Sequence, residues 1–144
     1  MDNSLIATYR AADYRVRLPK GGWASIRVDA TVPAALRAWI GPHNWAFITA
    51  WNPFSQVQPR SDNRAAQHAL LAALRKLRNT LFIRPAIGVG REWREPSFFV
   101  VGPLLAEMDG LAQQFRQNAY VHGLAVGYAR LRLTGDEPPR GQAG

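Results

Sequence analysis

Polar and apolar residues alternate strictly at two places near the start of the chain. Tyr14, Val16 and Leu18 alternate with Arg15 and Arg17, and Ala24, Ile26 and Val28 alternate with Ser25, Arg27 and Asp29. A period of two marks a strand with one buried and one wet face. Lys20-Gly21-Gly22 separates the runs, so they read as an antiparallel hairpin closed by a glycine turn. Ahead of them, Leu5, Ile6 and Tyr9 stand at helical spacing and predict a short helix from Ser4 to Ala12. Beyond them, Pro33 suits the first turn of a helix carrying Leu36, Trp39 and Ile40, which Gly41-Pro42 stops.

From Trp45 to Trp51 the run WAFITAW is apolar on both faces apart from Thr49, the pattern of an interior strand covered on two sides. It ends at Asn52-Pro53. Ser61 or Asp62 is expected to cap the next helix, in which Ala66, Leu70, Leu74 and Leu77 form one apolar stripe while Arg64, His68, Arg75 and Arg78 lie elsewhere. Two further strands are expected at Leu81 to Val89 and Ser97 to Val101, separated by the charged loop GREWRE. Leu104, Met108, Leu111 and Phe115 mark an amphipathic helix opened by Pro103, and Ala119 to Leu133 returns to β character with Gly123 as its bend.

The element order is therefore αββαβαββαββ. Short connections favour antiparallel pairing, and the simplest solution is an α+β fold: a single mostly antiparallel or mixed sheet with about three helices packed on it. No βαβ unit carries a glycine-rich phosphate turn, which weighs against a doubly wound sheet. Residues 1–134 are expected to form one globular domain, and residues 135–144, with TGDEPPRGQAG spanning the join, a disordered tail.

Composition changes this picture in three ways. The absence of cysteine removes disulfides, thiolate zinc sites and cysteine nucleophiles. The start MDNSLIATYR lacks the apolar stretch of a signal peptide or membrane span, so a cytoplasmic, non-membrane location is expected. The net charge is +8, carried by arginine apart from Lys20 and Lys76, which makes an anionic ligand or nucleic acid a partner to consider. GC-rich coding produces the same bias.

Candidate chemistry gathers around TAWNPFS. Asn52 can build the turn itself by bonding the backbone two residues on; alternatively Asn52 and Ser55 project from a rigid strand end, as ligand-binding groups often do. Asn63 falls on the Leu70 and Leu74 side of its helix, an odd place for an amide without a partner. Glu95 stands before Pro96, and if its strand runs antiparallel beside the Trp45 strand it lies near Asn52. There it could act as a general base or bind a cation, or it could simply pair with Arg91 or Arg94. Gln117 and Asn118 sit just past a helix end, where amides usually satisfy free carbonyls. His43, His68 and His122 have no metal spacing, neither GxSxG nor GxxxxGK occurs, and no metal or cofactor is expected.

FITAWNPFS at 47–55, SDNRAA at 61–66, WREPSFFVVG at 93–102 and FRQNAYVHG at 115–123 together resemble a bacterial family, the domain-of-unknown-function family 3293. The resemblance runs from about residue 5 to residue 133 and implies Trp51, Asn52, Pro53, Ser55, Asn63, Glu95 and Gln117 as pattern positions. Arg116 departs from it, since glycine is usual there. No reaction, cofactor or partner is implied. The favoured function is a ligand-binding module for a small molecule or anionic ligand, with a polar pocket of Asn52, Ser55, Asn63, Glu95 and Gln117 walled by Trp51, Phe54 and Trp93. The alternatives are an enzyme with Glu95 as general base and a nucleic-acid-associated protein using Arg60, Arg64, Arg75 and Arg78.

Overall fold

The hairpin expected around Gly21-Gly22 is present as strands β1 (Asp13–Arg17) and β2 (Trp23–Ile26), with both glycines at positive φ in the turn. It forms one edge of the sheet in the computed structural model, which describes residues 2–135; the tail expected at 135–144 lies, from residue 136 on, outside the described residues. Helix α1 (Asn3–Ala11) precedes it and α2 (Ala34–Ile40) follows. The remaining elements are β3 (Asn44–Ile48), one 3-10 turn at Pro53–Ser55, α3 (Arg60–Lys76), β4 (Phe82–Val89), β5 (Arg94–Val101), α4 (Leu105–Gln114), β6 (Ala119–Leu124) and β7 (Arg130–Leu133).

The seven strands make one curled sheet in the order β2-β1-β4-β5-β3-β6-β7, and every pairing is antiparallel. This is the α+β architecture the alternation predicts. Strand β3 is interior, between β5 and β6, which explains why its residues are apolar on both faces. On one face Trp45, Phe47, Phe99 and Val121 pack with Leu36 and Ile40 of α2. On the other, Ala46, Ile48 and Val100 pack with Leu70 and Leu74 of α3 and with Met108 and Leu111 of α4. These three helices bury side chains, whereas α1 buries none and is held by a few polar contacts. Among the described residues no helix is long and apolar enough to cross a membrane.

Three local expectations are corrected. Helix α3 starts at Arg60 behind Pro59, so Ser61 and Asp62 lie inside its first turn and do not cap it. The strand from Trp45 stops at Ile48, because Thr49 to Trp51 turn their polar groups to partners outside the ladder. Gly123 is not a bend. It lies within β6, and the reversal comes after it, where Ala125 has a φ of 53°.

The reason for Gly123 is steric. The fully buried Trp45 ring packs against Phe99 at a centroid distance of 5.8 Å and lies over Gly123, where an added Cβ would sit 2.5 Å from the indole Nε1 and 2.7 Å from Cε2. Gly123→Ala is therefore expected to destabilise the fold by about 1–3 kcal/mol through overpacking. Urea unfolding checks this, and a loss below about 0.5 kcal/mol, the range of ordinary surface changes, would mean that the ring does not rest on this glycine.

Candidate functional site

Where β3 ends, the chain must leave the sheet without stranding its backbone polar groups. Side-chain amides supply the missing partners. The Ala50 N–H donates to Gln67 Oε1 at 2.6 Å, and the Asn52 N–H donates to Asn63 Oδ1 at 2.8 Å. Asn63 Nδ2 returns a bond to Asn52 Oδ1 at 2.8 Å, and Gln58 Nε2 donates to Asn63 Oδ1 at 2.7 Å. Asn63 is 2% exposed, so its unusual place on the apolar side of α3 is explained by this network.

The turn itself is left-handed at three non-glycine residues: Asn52 at φ 46°, Phe54 at 55° and Ser55 at 60°. Such residues cost about 1–2 kcal/mol each in isolation, so the network must hold them. A second clamp comes from the end of α4. The Phe54 N–H donates to the Arg116 carbonyl at 2.7 Å, and Gln117 Nε2 donates to the carbonyls of Trp51 and Phe115 at 3.3 and 3.2 Å. Arg116 has a φ of 55°, a conformation that glycine adopts at least cost, which accounts for the glycine expected at this position.

Above the turn lies a narrow cleft of about 40 Å³. Tyr14, Phe47 and Trp93 wall it, and Tyr9, Ser55, Glu95 and Gln117 contribute its polar groups. Gly88 and Gly90 make the room for Trp93: a Cβ on Gly90 would fall 2.0 Å from its Nε1, and one on Gly88 3.1 Å from its ring. The GVG motif thus seats an aromatic wall. Tyr14 Oη donates to the Tyr9 carbonyl at 2.6 Å, and the hydroxyls of Tyr9 and Ser55 are hydrogen-bonded to each other. These bonds bring the otherwise unburied helix α1 to the cleft rim.

Glu95 is the chemically unusual member. Strand β5 runs antiparallel beside β3, with Phe98 opposite Ile48, so Glu95 comes to the strand end beside the turn. Its carboxyl, half-buried, has neither a hydrogen bond nor an ion pair among the described residues; the ion pairs with Arg91 or Arg94 considered from sequence are not formed. Burial pushes its pKa up from 4.5 to about 7. Burial likewise raises Tyr14 well above the usual phenol range. A carboxyl poised near neutrality can hold or release a proton at physiological pH.

Ser55, Glu95 and Gln117 therefore meet in one cleft, with Asn52 and Asn63 beneath it as its support. Trp51 does not join them. It faces a separate groove on the α3 side of the sheet together with Arg60 and Arg64, whereas Arg75 and Arg78 do not line that groove. Phe54 is exposed and is not a cleft wall. Tyr9 and Tyr14 escape sequence reasoning, because one sits on a helix and the other on an edge hairpin, far from the motifs in sequence. No cluster of three metal-ligating side chains occurs among the described residues.

The ionisation of Glu95 should be visible in stability. Its folded pKa is raised, so the folded state is penalised as pH climbs from 4.5 towards about 7 and carries the full penalty above that. Glu95→Gln is expected to be more stable than the wild type by about 2 kcal/mol at pH near 8, with the advantage vanishing near pH 4, in denaturant titrations at both values. A constant difference across that range would place the carboxyl in free contact with water.

A family model described as a protein of unknown function (DUF3293) matches residues 48–120, half of the chain, including the whole turn and Glu95. No curated protein and no solved structure matches the chain.

Proposed function

Since the chain belongs to the DUF3293 family, a membership that brings no assigned activity, we propose from the cleft itself that the protein binds a small polar ligand through Glu95. One observation carries this reading: a half-buried carboxyl without a partner among the described residues, enclosed by Tyr14, Phe47 and Trp93. A buried charge left unpaired costs stability, and such a cost is retained where a ligand supplies the missing partner. The cleft is too small for a drug-sized molecule, so only a compact head enters. An ammonium or amidinium group fits best, with Glu95 as its counter-charge, the Tyr9–Ser55 hydroxyl pair as its second contact and the aromatic rings as its walls.

The pKa of about 7 favours a second reading, in which Glu95 moves a proton as a general base. The two readings share one pH signature, because both need the ionised carboxylate and strengthen as pH rises through about 7. In the first, affinity rises; in the second, turnover rises.

The test is a thermal-shift panel of primary amines, amidines and polyols against the wild type, Glu95→Gln and Ser55→Ala. Amines or amidines are expected to stabilise the wild type more at pH 8 than at pH 6, and the Glu95→Gln protein should lose at least about tenfold in affinity. Shifts that survive Glu95→Gln unchanged, or a panel without any cationic hit, would contradict the proposal.

A further inference from the structure

A separate groove of about 560 Å³ lies on the opposite face of the same sheet end, between α3 and the outer rows of β4 and β5. Its rim is basic. Arg60, Arg64 and His68 stand four residues apart along α3 and so share one face, which Arg75 continues seven residues on; Arg94 faces them from the start of β5. No acidic residue lines the groove, and none of Arg60, Arg64 and Arg94 has an ion-pair partner among the described residues. Outside the groove, Arg10, Arg15, Arg27, Arg130 and Arg132 are paired with aspartates, while Arg37, Arg78 and Arg91 have no ion pair among the described residues, so the groove is set apart by the convergence of its cations.

The floor is apolar, built from Pro85, Ile87, Pro96 and Phe98, with the half-buried Trp51 at one end. Free inorganic phosphate would use the rim and leave that floor wet. A ligand that uses both needs repeated negative charges and flat apolar groups between them. The part of the basic stripe that lines the groove, residues 60 to 68, spans about 12 Å of helix, longer than one phosphate group requires. A duplex keeps its bases stacked inside, whereas a single strand can lay them on the floor.

We propose that this groove binds single-stranded nucleic acid, with Arg60, Arg64 and Arg94 on successive phosphates and with Trp51 and Phe98 against a base. The guanidinium groups give affinity that falls with salt, and the aromatic floor gives preference for unpaired bases without sequence readout. The site is independent of Glu95, which projects from the other face of β5.

Fluorescence anisotropy with a labelled oligothymidine of roughly twelve nucleotides tests this, alongside its duplex form and an abasic strand of equal length. The single strand is expected to bind more tightly than the duplex and several-fold more tightly than the abasic strand. The exposed double variant Arg64→Ala/Arg94→Ala should weaken binding about tenfold and flatten the log–log salt slope by about 1.4 between roughly 50 and 200 mM salt. Arg37→Ala/Arg91→Ala, which removes the same charge outside the groove, should weaken it less than about twofold, and Glu95→Gln should leave it unchanged. Equal losses in the two arginine doubles would reduce the effect to net charge and overturn the proposal. So would equal binding of the abasic strand or of the duplex, or no binding at about 100 µM protein.

Discussion

The reciprocal amide pair between Asn52 and Asn63 fixes the geometry of this end of the sheet. Two bonds of 2.8 Å join the last turn of the β3 segment to the first turns of α3, and they do so where the chain adopts backbone angles that L-residues avoid. Losing either amide would strand a buried donor or acceptor, at about 1–3 kcal/mol, besides releasing the strained turn. The turn's other contacts follow from that lock. Ser55 is carried to Tyr9, the Trp51 carbonyl is presented to Gln117, and the end of α4 is tied to the turn through Phe54.

The sheet then separates two surfaces by its simplest property. Side chains alternate along β5, so Glu95 turns into the aromatic cleft while its neighbours Arg94 and Pro96 turn towards the basic groove. An acidic and a basic surface can thus lie one residue apart in sequence without neutralising each other. The same separation keeps Glu95 from pairing with an arginine among the described residues, in a chain rich in arginine. The cleft stays small because Trp93 is laid across it, and Trp93 can lie there because Gly88 and Gly90 carry no side chain.

Much of this was legible in the sequence, for local reasons. Alternation with a glycine pair identified β1 and β2, an apolar run on both faces identified the interior strand β3, and the element order followed. The helical wheel placed Asn63 on a buried face, and antiparallel pairing of β5 with β3 brought Glu95 to the turn. What failed depended on contacts distant in sequence. Gly123 looked like a bend because the Trp45 ring that requires it lies on another strand. Trp51, expected as a pocket wall from its place beside the Asn52 turn, faces the other groove, because the chain has left the ladder after Ile48. Tyr9 and Tyr14 carry no local signal; only the assembled, curled sheet brings them to Ser55 and Phe47.

Glu95 is held in a low-dielectric cleft, unpartnered among the described residues. The most direct measurement is a carbon-detected NMR titration of the glutamate side-chain carboxyls in the wild-type protein, with Glu95→Gln assigning the resonance. A Glu95 midpoint near 7 is expected. A midpoint near 4.5 would show a solvated carboxylate and contradict the cleft as a binding or acid–base site.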